Sequence, residues 1–254
     1  MLEQVDVILC EDTRHTGHML RRFGIAGRRL SLHEHNEDRR VPEIIAGLRS
    51  GRDFALVSDA GTPLISDPGY RLLAAAREAS LRVSPVPGPC AAVAAISVAG
   101  LPTDRFCFEG FLPSGAAARR SRLEALAGES RTLVFYESGR RIADSVRDCA
   151  HVFGGDRPAA LARELTKTHE SVYRETLDEL AHRLEQDPEA SMGECVLVVA
   201  GALESAAETA DLERALRVLL EFVAPSAAAR IAAQIYGVSR RTAYAAAMRL
   251  SGAD

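Results

Sequence analysis

Short apolar runs recur between residues 5 and 200, and each is followed by a polar or glycine-containing turn and then by an amphipathic stretch. The runs predict buried strands, and the stretches after them predict helices. The predicted strands are Val5–Cys10, Leu30–Leu32, Phe54–Val57, Arg82–Ser84, Phe106–Phe111, Thr132–Tyr136, Ala159–Ala162 and Cys195–Ala200. This alternation is typical of α/β layers, here in two domains.

The segment Leu112–Gly115 is the best candidate for a linker, because the strand and helix pattern restarts after it. We therefore expect domains at residues 1–112 and 113–204. Residues 205–254 contain no strand pattern, and two short helices there flank a turn with Gly237. That arrangement is typical of a helix-turn-helix, with Ser239 capping the second helix and Arg240 and Arg241 exposed in its first turn. Such modules bind nucleic acids, and they also serve in packing or dimerisation.

The loop after the third predicted strand has the features of a ligand site. Ser58 and Asp59 lie at the carboxyl end of that strand, and Asp67 is placed to cap a helix over Pro68–Ala79. A strand, a glycine-bearing loop and a helix in this order form a ligand site at the carboxyl edge of parallel sheets. The segment Pro85–Pro89 is a second loop of the same kind, one βα unit later.

Polar residues also follow the first two predicted strands. Glu11, Asp12 and Arg14 come directly after the first, and a helix N-cap explains Asp12 but not the other two. His33 and His35 follow the second strand. No third ligand has the spacing of a zinc site, so we expect no metal here.

The amino-acid composition limits the cellular compartment and the kinds of partner that we expect for this chain. The chain has five scattered cysteines and no Cys-x-x-Cys pair, which argues against a disulfide framework or zinc ribbon and indicates a reducing cytoplasm. It shows no membrane-spanning apolar run and no signal-peptide pattern, so we expect no membrane partner. The net charge of −4 means that any nucleic-acid contact must come from local arginine patches.

The usual nucleotide fingerprints are absent, since no Gly-x-Gly-x-x-Gly follows a strand and no Gly-Lys-Ser/Thr P-loop occurs. Five other motifs resemble the ribosomal RNA small subunit methyltransferase I family, a branch of the tetrapyrrole-methylase-like, class III methyltransferases. They are Cys10–Thr16, Leu56–Gly69, Val86–Pro89, Leu133–Ser138 and Ala162–Lys167. The second of these is highly specific for the branch. The resemblance runs from Val5 to Gly201 and includes the helical tail.

The resemblance implies two α/β domains of the tetrapyrrole methylase type, with S-adenosylmethionine held in the cleft between them largely by backbone groups. It implies methyl transfer to the ribose 2′-oxygen of a cytidine in the decoding region of 16S rRNA, and it implies a homodimer. The cofactor would be lined by Ser58, Asp59, Ala60, Gly61, Thr62, Pro63, Pro87, Gly88 and Pro89. Glu11, Asp12 and Arg14 would face the RNA.

The sequence departs from the family at its N-terminus. Family members begin with a strand and a Thr-Pro-Ile-Gly-Asn loop, about one βα unit before the first residues of this chain. We therefore expect the N-terminal domain to lack its first strand. We also expect either that Met1 is not the natural start or that this form is catalytically impaired.

Methyl transfer to a ribose oxygen needs a group that helps to remove its proton. The candidate bases or orienting groups are Glu11, Asp12, His33, His35 and Glu137, and we take Glu11, Asp12, Arg14 and Glu137 as the catalytic residues. A lysine-based catalytic tetrad is excluded, because Lys167 is the only lysine. We expect the RNA to contact Arg140, Arg141, Lys167, Arg240 and Arg241. Lys167 could equally well pair with a carboxylate.

Two other interpretations stay open. The same fold could C-methylate a corrin-type tetrapyrrole, although the helical tail and the arginines favour RNA. Alternatively, the chain could be a non-catalytic nucleic-acid-binding protein with a vestigial cofactor cleft, and the missing first strand keeps that interpretation open.

Overall fold

A computed structural model describes residues 1–202 and 206–251 of the chain. They fall into two compact units, Met1–Ala200 and Gly201–Asp254. The strands of the first unit are β1 Val7–Cys10, β2 Arg29–Ser31, β3 Phe54–Val57, β4 Phe106–Phe111, β5 Thr132–Ser138, β6 Pro158–Arg163, β7 Ser171–Thr176 and β8 Glu194–Val199. Its α-helices are α1 Thr13–Arg22, α2 Glu37–Arg49, α3 Tyr70–Glu78, α4 Ala91–Ala99, α5 Ala116–Leu126, α6 Gly139–Phe153 and α7 Leu177–Gln186.

The first sheet has three parallel strands in the order β2-β1-β3. Cys10 at the end of β1 is paired with Ser31 on one side and with Val57 on the other. β1 is buried throughout, whereas all four residues of the edge strand β3 are half-buried. Because the strands are parallel, their carboxyl ends, and the polar residues that follow them, share one edge.

The second sheet has five strands in the order β4-β5-β8-β6-β7. Only β4 and β5 are parallel, and the other neighbouring strands are antiparallel. One face packs against α4 through its alanines and Ile96, which lets helix and sheet approach closely. The other face packs against leucines of α5 and α7 and against Ile142, Val146 and Phe153 of α6. The inner strands are therefore buried on both faces.

The α/β fold is confirmed, and so are strand Phe54–Val57 and strand Phe106–Phe111 with the predicted bounds. The predicted start of α3 is wrong, because the helix begins at Tyr70 after Gly69, whose φ of 124° suits glycine, and Asp67 does not cap it. The predicted strand Arg82–Ser84 is also wrong. In the described structure residues 81–90 form no strand. Pro85, Pro87 and Pro89 lack the N–H groups that hydrogen bonding between strands needs, and β3 is left as the edge strand of its sheet.

The predicted division at residue 112 falls directly after β4, whose hydrogen bonds go to β5 of the second sheet. α4, which also precedes residue 112, packs on that same sheet. The division into residues 1–112, 113–204 and 205–254 therefore stays a prediction, and part of it lies outside the described residues.

The second unit contains three helices within its described residues, α8 Ala206–Leu220, α9 Pro225–Tyr236 and α10 Arg240–Ser251. Leucines of α8 and alanines of α9 and α10 form its core. The turn between α9 and α10 contains Gly237 at a φ of 68°, and Ser239 Oγ accepts a hydrogen bond from the Thr242 N–H at 3.0 Å. The predicted cap of α10 is confirmed. Within the described ranges, no helix is long and apolar enough to cross a membrane.

Candidate active site

Polar residues from β1 and β3 meet at the carboxyl edge of the first sheet. Glu11 follows β1, and Ser58 and Asp59 follow β3. Thr16, buried on the first turns of α1, places its hydroxyl 3.5 Å from Asp59 Oδ1. The edge therefore brings together the strand-end residues that the sequence indicated.

The loop between β3 and α3 is closed by its own polar groups. Ser58 Oγ is hydrogen-bonded to the Asp67 carboxylate and accepts the Ala60 N–H at 3.1 Å. Asp67 thus closes the loop instead of capping the helix. Leu64 and Ser66 have φ values of 71° and 64°, a strained conformation for residues with side chains. Such strain persists only where the surrounding structure holds it, and it clusters at functional sites.

The two loops that the sequence singled out for the cofactor contact each other. Thr62 Oγ1 donates a hydrogen bond to the Pro89 carbonyl at 2.8 Å. Gly61 has a φ of 84°, and a Cβ there would lie 3.5 Å from the same carbonyl. The structure therefore brings the segment 58–63 together with the segment 87–89.

The carboxyl edge of the first sheet carries the carboxylates of Glu11, Asp59 and Asp67, and we call it the acidic edge. Partial burial raises the pKa of the Glu11 carboxyl, and the nearby carboxylates of Asp59, Asp67 and Glu34 raise it further. Partial burial also raises the pKa of Asp67, and the charge of Asp59 adds to that effect. Carboxylates that repel one another in this way favour a bound cation.

Asp12 and Arg14 are occupied with each other. Asp12 caps α1 by accepting the Arg14 N–H at 2.7 Å, and it also accepts the Arg14 guanidinium at 2.8 Å and 3.2 Å. These bonds hold the pKa of the Asp12 carboxyl well below its usual range. Glu11 differs, because among the described residues it forms no side-chain hydrogen bond or ion pair.

Glu137 is buried in the second sheet, and its known contacts lie within that half of the unit. Its Oε2 accepts the Ser145 hydroxyl at 2.7 Å and lies 3.2 Å from Arg141 Nη2, and its Oε1 accepts the Ser138 N–H at 2.9 Å. Arg141 donates to the Leu112 carbonyl at 2.6 Å. These two residues tie α6 to the end of β4, and none of these contacts involves Glu11, Asp59 or Asp67.

The remaining residues predicted to contact RNA differ in whether their side chains are already paired with carboxylates. Lys167 Nζ pairs with Glu164 at 2.8 Å and with Glu194 at 2.9 Å. Of the two possibilities for Lys167, the carboxylate partner is the one the structure shows. Arg140 is exposed and forms no ion pair within the described part of the chain. Arg240 and Arg241 are exposed in the second unit.

Tyr136 was not among the predicted site residues. Its hydroxyl accepts the Ala92 N–H at 3.2 Å and lies 3.8 Å from Cys90 Sγ, directly after the second loop. Burial raises the pKa of Tyr136 to about 12, and the charge of Asp67 contributes. Its ring packs edge-on against Phe108, with centroids 4.8 Å apart. The hydroxyl-bearing Tyr136 at the carboxyl end of the predicted strand Thr132–Tyr136 was the signal that could have indicated it.

The rings of His33 and His35 are arranged edge-on, with centroids 6.1 Å apart. The Asn36 side chain accepts the His33 N–H at 3.0 Å, so this segment forms a local turn before α2. The residues that the structure describes include no group of three or more potential metal ligands. A separate groove of about 780 Å³ between α2 and α3 contains none of the predicted site residues.

Two family models match this chain, and solved structures of similar fold are known. The family model of the tetrapyrrole (corrin/porphyrin) methylases matches residues 1–181, and that of the RsmI C-terminal HTH domain matches residues 206–251. The methyltransferase CobJ has a similar structure, with a TM-score of 0.57 and 19% identity over 79% of this chain and 85% of that one. At this identity, the likeness shows the fold alone.

Curated relatives are much closer in sequence. The ribosomal RNA small subunit methyltransferase I of Escherichia coli O157:H7 is 47% identical over 99% of this chain and 88% of its own length. That of Xylella fastidiosa strain Temecula1 is 51% identical over 96% of this chain and 90% of its own length. The chain therefore belongs to the tetrapyrrole methylase family and, within it, to the ribosomal RNA small subunit methyltransferase I family.

Proposed function

We propose that this chain uses S-adenosylmethionine to methylate the ribose 2′-oxygen of a cytidine in small-subunit ribosomal RNA. One observation carries the proposal. In a chain of this family, the acidic carboxyl edge lies beside two loops that are joined by the Thr62–Pro89 hydrogen bond. The names of the relatives support the RNA substrate. The cytidine and the ribose oxygen rest on the resemblance of the motifs.

The residues at this edge suit a positively charged ligand. When bound, S-adenosylmethionine supplies an activated methyl group on a cationic sulfur. Asp59 and Asp67 would offset that charge, because their own repulsion is relieved when a cation arrives. The backbone of segments 58–63 and 87–89 would hold the rest of the molecule, since Gly61 and Gly88 leave their approach open.

We assign proton removal to Glu11. Its carboxylate is exposed at the edge and is free of side-chain partners among the described residues, whereas both oxygens of Asp12 are held by Arg14. The proton of the ribose hydroxyl would pass to Glu11 as the ribose oxygen takes the methyl group, whose bond to sulfur breaks and leaves a neutral thioether. The raised pKa makes Glu11 a stronger base than an ordinary glutamate, and it stays ionised above that raised value.

The other predicted residues take different parts in this proposal. Arg140 is available for an RNA phosphate, whereas Lys167 and Arg141 hold the second sheet together. Glu137 positions α6 and is not the base. We further propose action as a homodimer in the cytoplasm. The homodimer rests on the resemblance, and the five free cysteines support a reducing compartment.

The test is to incubate the chain with small ribosomal subunits and S-adenosylmethionine carrying a labelled methyl group, and then to digest the RNA to nucleosides. The proposal predicts label in 2′-O-methylcytidine. Label in a nucleobase would overturn the ribose assignment. No label, together with no calorimetric heat when S-adenosylmethionine is titrated into the chain, would overturn the methyltransferase proposal. Glu124→Gln is the matched control for edge variants, because Glu124 is exposed on α5.

A further inference from the structure

A groove of about 380 Å³ lies between α9 and α10 of the second unit. We call it the arginine groove, and its lining consists of Ser226, Ala229, Arg230, Arg240, Arg241 and Tyr244. Ser226 and Arg230 are four residues apart on α9, and Arg240 and Tyr244 are four apart on α10. Residues at this spacing lie on one face of a helix, so one face of α9 and one face of α10 line the groove.

The charge of these two helices is one-sided. Residues 222–251 contain four arginines and no aspartate, glutamate or lysine. Arg249 is the one of the four outside the groove, and it pairs with Glu213 of α8 at 2.9 Å. Arg230, Arg240 and Arg241 line the groove, and within the described residues none of them forms a side-chain hydrogen bond or an ion pair. The unneutralised positive charge is therefore concentrated in the groove.

The three arginines that line the groove carry like charges, which repel each other. A guanidinium presents its donors in a planar fork that matches the oxygens of a phosphate. Successive phosphates of a nucleic-acid strand would therefore offset this repulsion. Ser226 and Ala229, which also line the groove, have small side chains that leave room for a ligand.

Tyr244 adds a second feature that a simple phosphate site does not need. Its side chain is 46% exposed beside the arginines, and among the described residues its hydroxyl makes no hydrogen bond. An exposed aromatic ring next to a cationic groove is the arrangement on which unpaired bases stack. In duplex nucleic acid the bases are already stacked on each other, so a ring of this kind favours a single strand.

We propose that the arginine groove binds single-stranded RNA, with the three arginines on the phosphates and Tyr244 stacked on an unpaired base. This inference deepens the proposed function, because it names how the RNA substrate is held. It rests on that proposal for the choice of RNA. The chemistry of methyl transfer stays at the acidic edge of the first unit, and the groove contributes affinity.

The test measures the affinity of the full chain for a fluorescein-labelled, cytidine-rich, single-stranded RNA of 12 nucleotides over a series of KCl concentrations. Single strands give a salt slope of about 0.7 per neutralised phosphate, so Arg240→Ala with Arg241→Ala should lower the slope by about 1.4. Tyr244→Leu should weaken binding by about tenfold or more, and Tyr244→Phe should keep most of it. Arg249→Ala is the matched control, because it removes an arginine of α10 that is already paired.

Unchanged RNA affinity and salt slope in the double arginine variant, with circular dichroism showing intact helices, would overturn the inference. Equal or tighter binding of a duplex DNA of the same sequence, or of a polyglutamate peptide, would overturn it in favour of another class of partner. The methyl-transfer assay separates the two proposals. If subunits are methylated while the groove variants bind RNA normally, only the groove inference fails. If the groove binds RNA but no methyl group is transferred, only the proposed function fails.

Discussion

The two sheets of the first unit differ in what surrounds them. In the five-stranded sheet, β5, β6 and β8 lie between α4 on one face and α5, α6 and α7 on the other, and their aliphatic residues are buried. In the three-stranded sheet only β1 is fully buried, and the edge strand β3 is half-buried along its length. A sheet whose end must carry exposed carboxylates cannot also be sealed from water. We infer that the larger sheet supplies stability and the smaller one supplies chemistry.

Positive φ at residues with side chains occurs beside both sheets, and Glu164 and Thr166 after β6 have φ values of 48° and 67°. The loop after β3 contains Leu64 and Ser66 at positive φ, and it is held by the Ser58–Asp67 hydrogen bond. In the larger sheet the comparable polar groups are buried and paired, as in the contact of Glu137 with Ser145 at 2.7 Å. Strain alone therefore does not distinguish the two sheets, and the difference lies in the carboxylate of Glu11 at the end of the smaller one, which is exposed and unpaired among the described residues.

The largest effect on stability is expected for a truncation in the larger sheet. Phe135 is fully buried in β5, so Phe135→Ala should lower the free energy of unfolding by about 3–5 kcal/mol. Leu56→Ala in the half-buried β3 should cost less than about 2 kcal/mol. The measurement is urea unfolding followed by circular dichroism, since the chain has no tryptophan. Equal losses would remove the proposed difference between the sheets.

Two glycine variants sharpen the comparison. A Cβ on Gly139 would lie 2.5 Å from the Ser191 carbonyl oxygen, so Gly139→Ala should cost about 1–3 kcal/mol of stability. A Cβ on Gly61 would lie at an ordinary contact distance of 3.5 Å from the Pro89 carbonyl oxygen, but its φ is 84°, so Gly61→Ala should cost about 1–2 kcal/mol. Calorimetric titration should show that only Gly61→Ala weakens binding of S-adenosylmethionine. If Gly139→Ala weakened binding as much, ligand binding would not be specific to the loop after β3.

The smallest effect is expected for Arg14→Ala. Arg14 pairs with Asp12 at 2.8 Å, but its side chain is 87% exposed. Exposed ion pairs contribute between 0 and about 1 kcal/mol, so thermal unfolding should change little. A larger loss of stability would show that the start of α1 is more important to the smaller sheet than its exposure indicates.

Local features could be predicted from the sequence. β3 is a compact apolar run, and Asp12 is an N-cap whose partners lie within two residues, so both followed from nearby residues alone. The same holds for Ser239 at the start of α10. The two loops at segments 58–63 and 85–89 were also singled out from their glycines and prolines. Their contact through Thr62 and Pro89 was not predicted, because those residues are distant in sequence.

Non-local pairing decided what the sequence could not show. Glu137 reads as a residue at the end of a strand, but β5 continues to Ser138, and Glu137 is paired with Cys195 inside the sheet. Asp67 precedes a proline as an N-cap often does, yet its partner is Ser58, nine residues earlier. The hydroxyl of Tyr136 accepts the N–H of Ala92, a residue that is distant in sequence. Each of these depends on a contact that local pattern does not encode.

The most direct test compares the same substitution at the two carboxylates. Glu11→Gln should reduce methyl transfer by about 10²–10⁴-fold with little change in thermal unfolding. It should also abolish the rise of the rate with pH that the raised pKa of Glu11 predicts, because the base is active only above that pKa. Glu137→Gln should lower stability by about 1–3 kcal/mol and keep most of the activity of the folded enzyme. Full activity and an unchanged pH profile in Glu11→Gln, or complete loss in a stable Glu137→Gln, would contradict the assignment of chemistry to the smaller sheet.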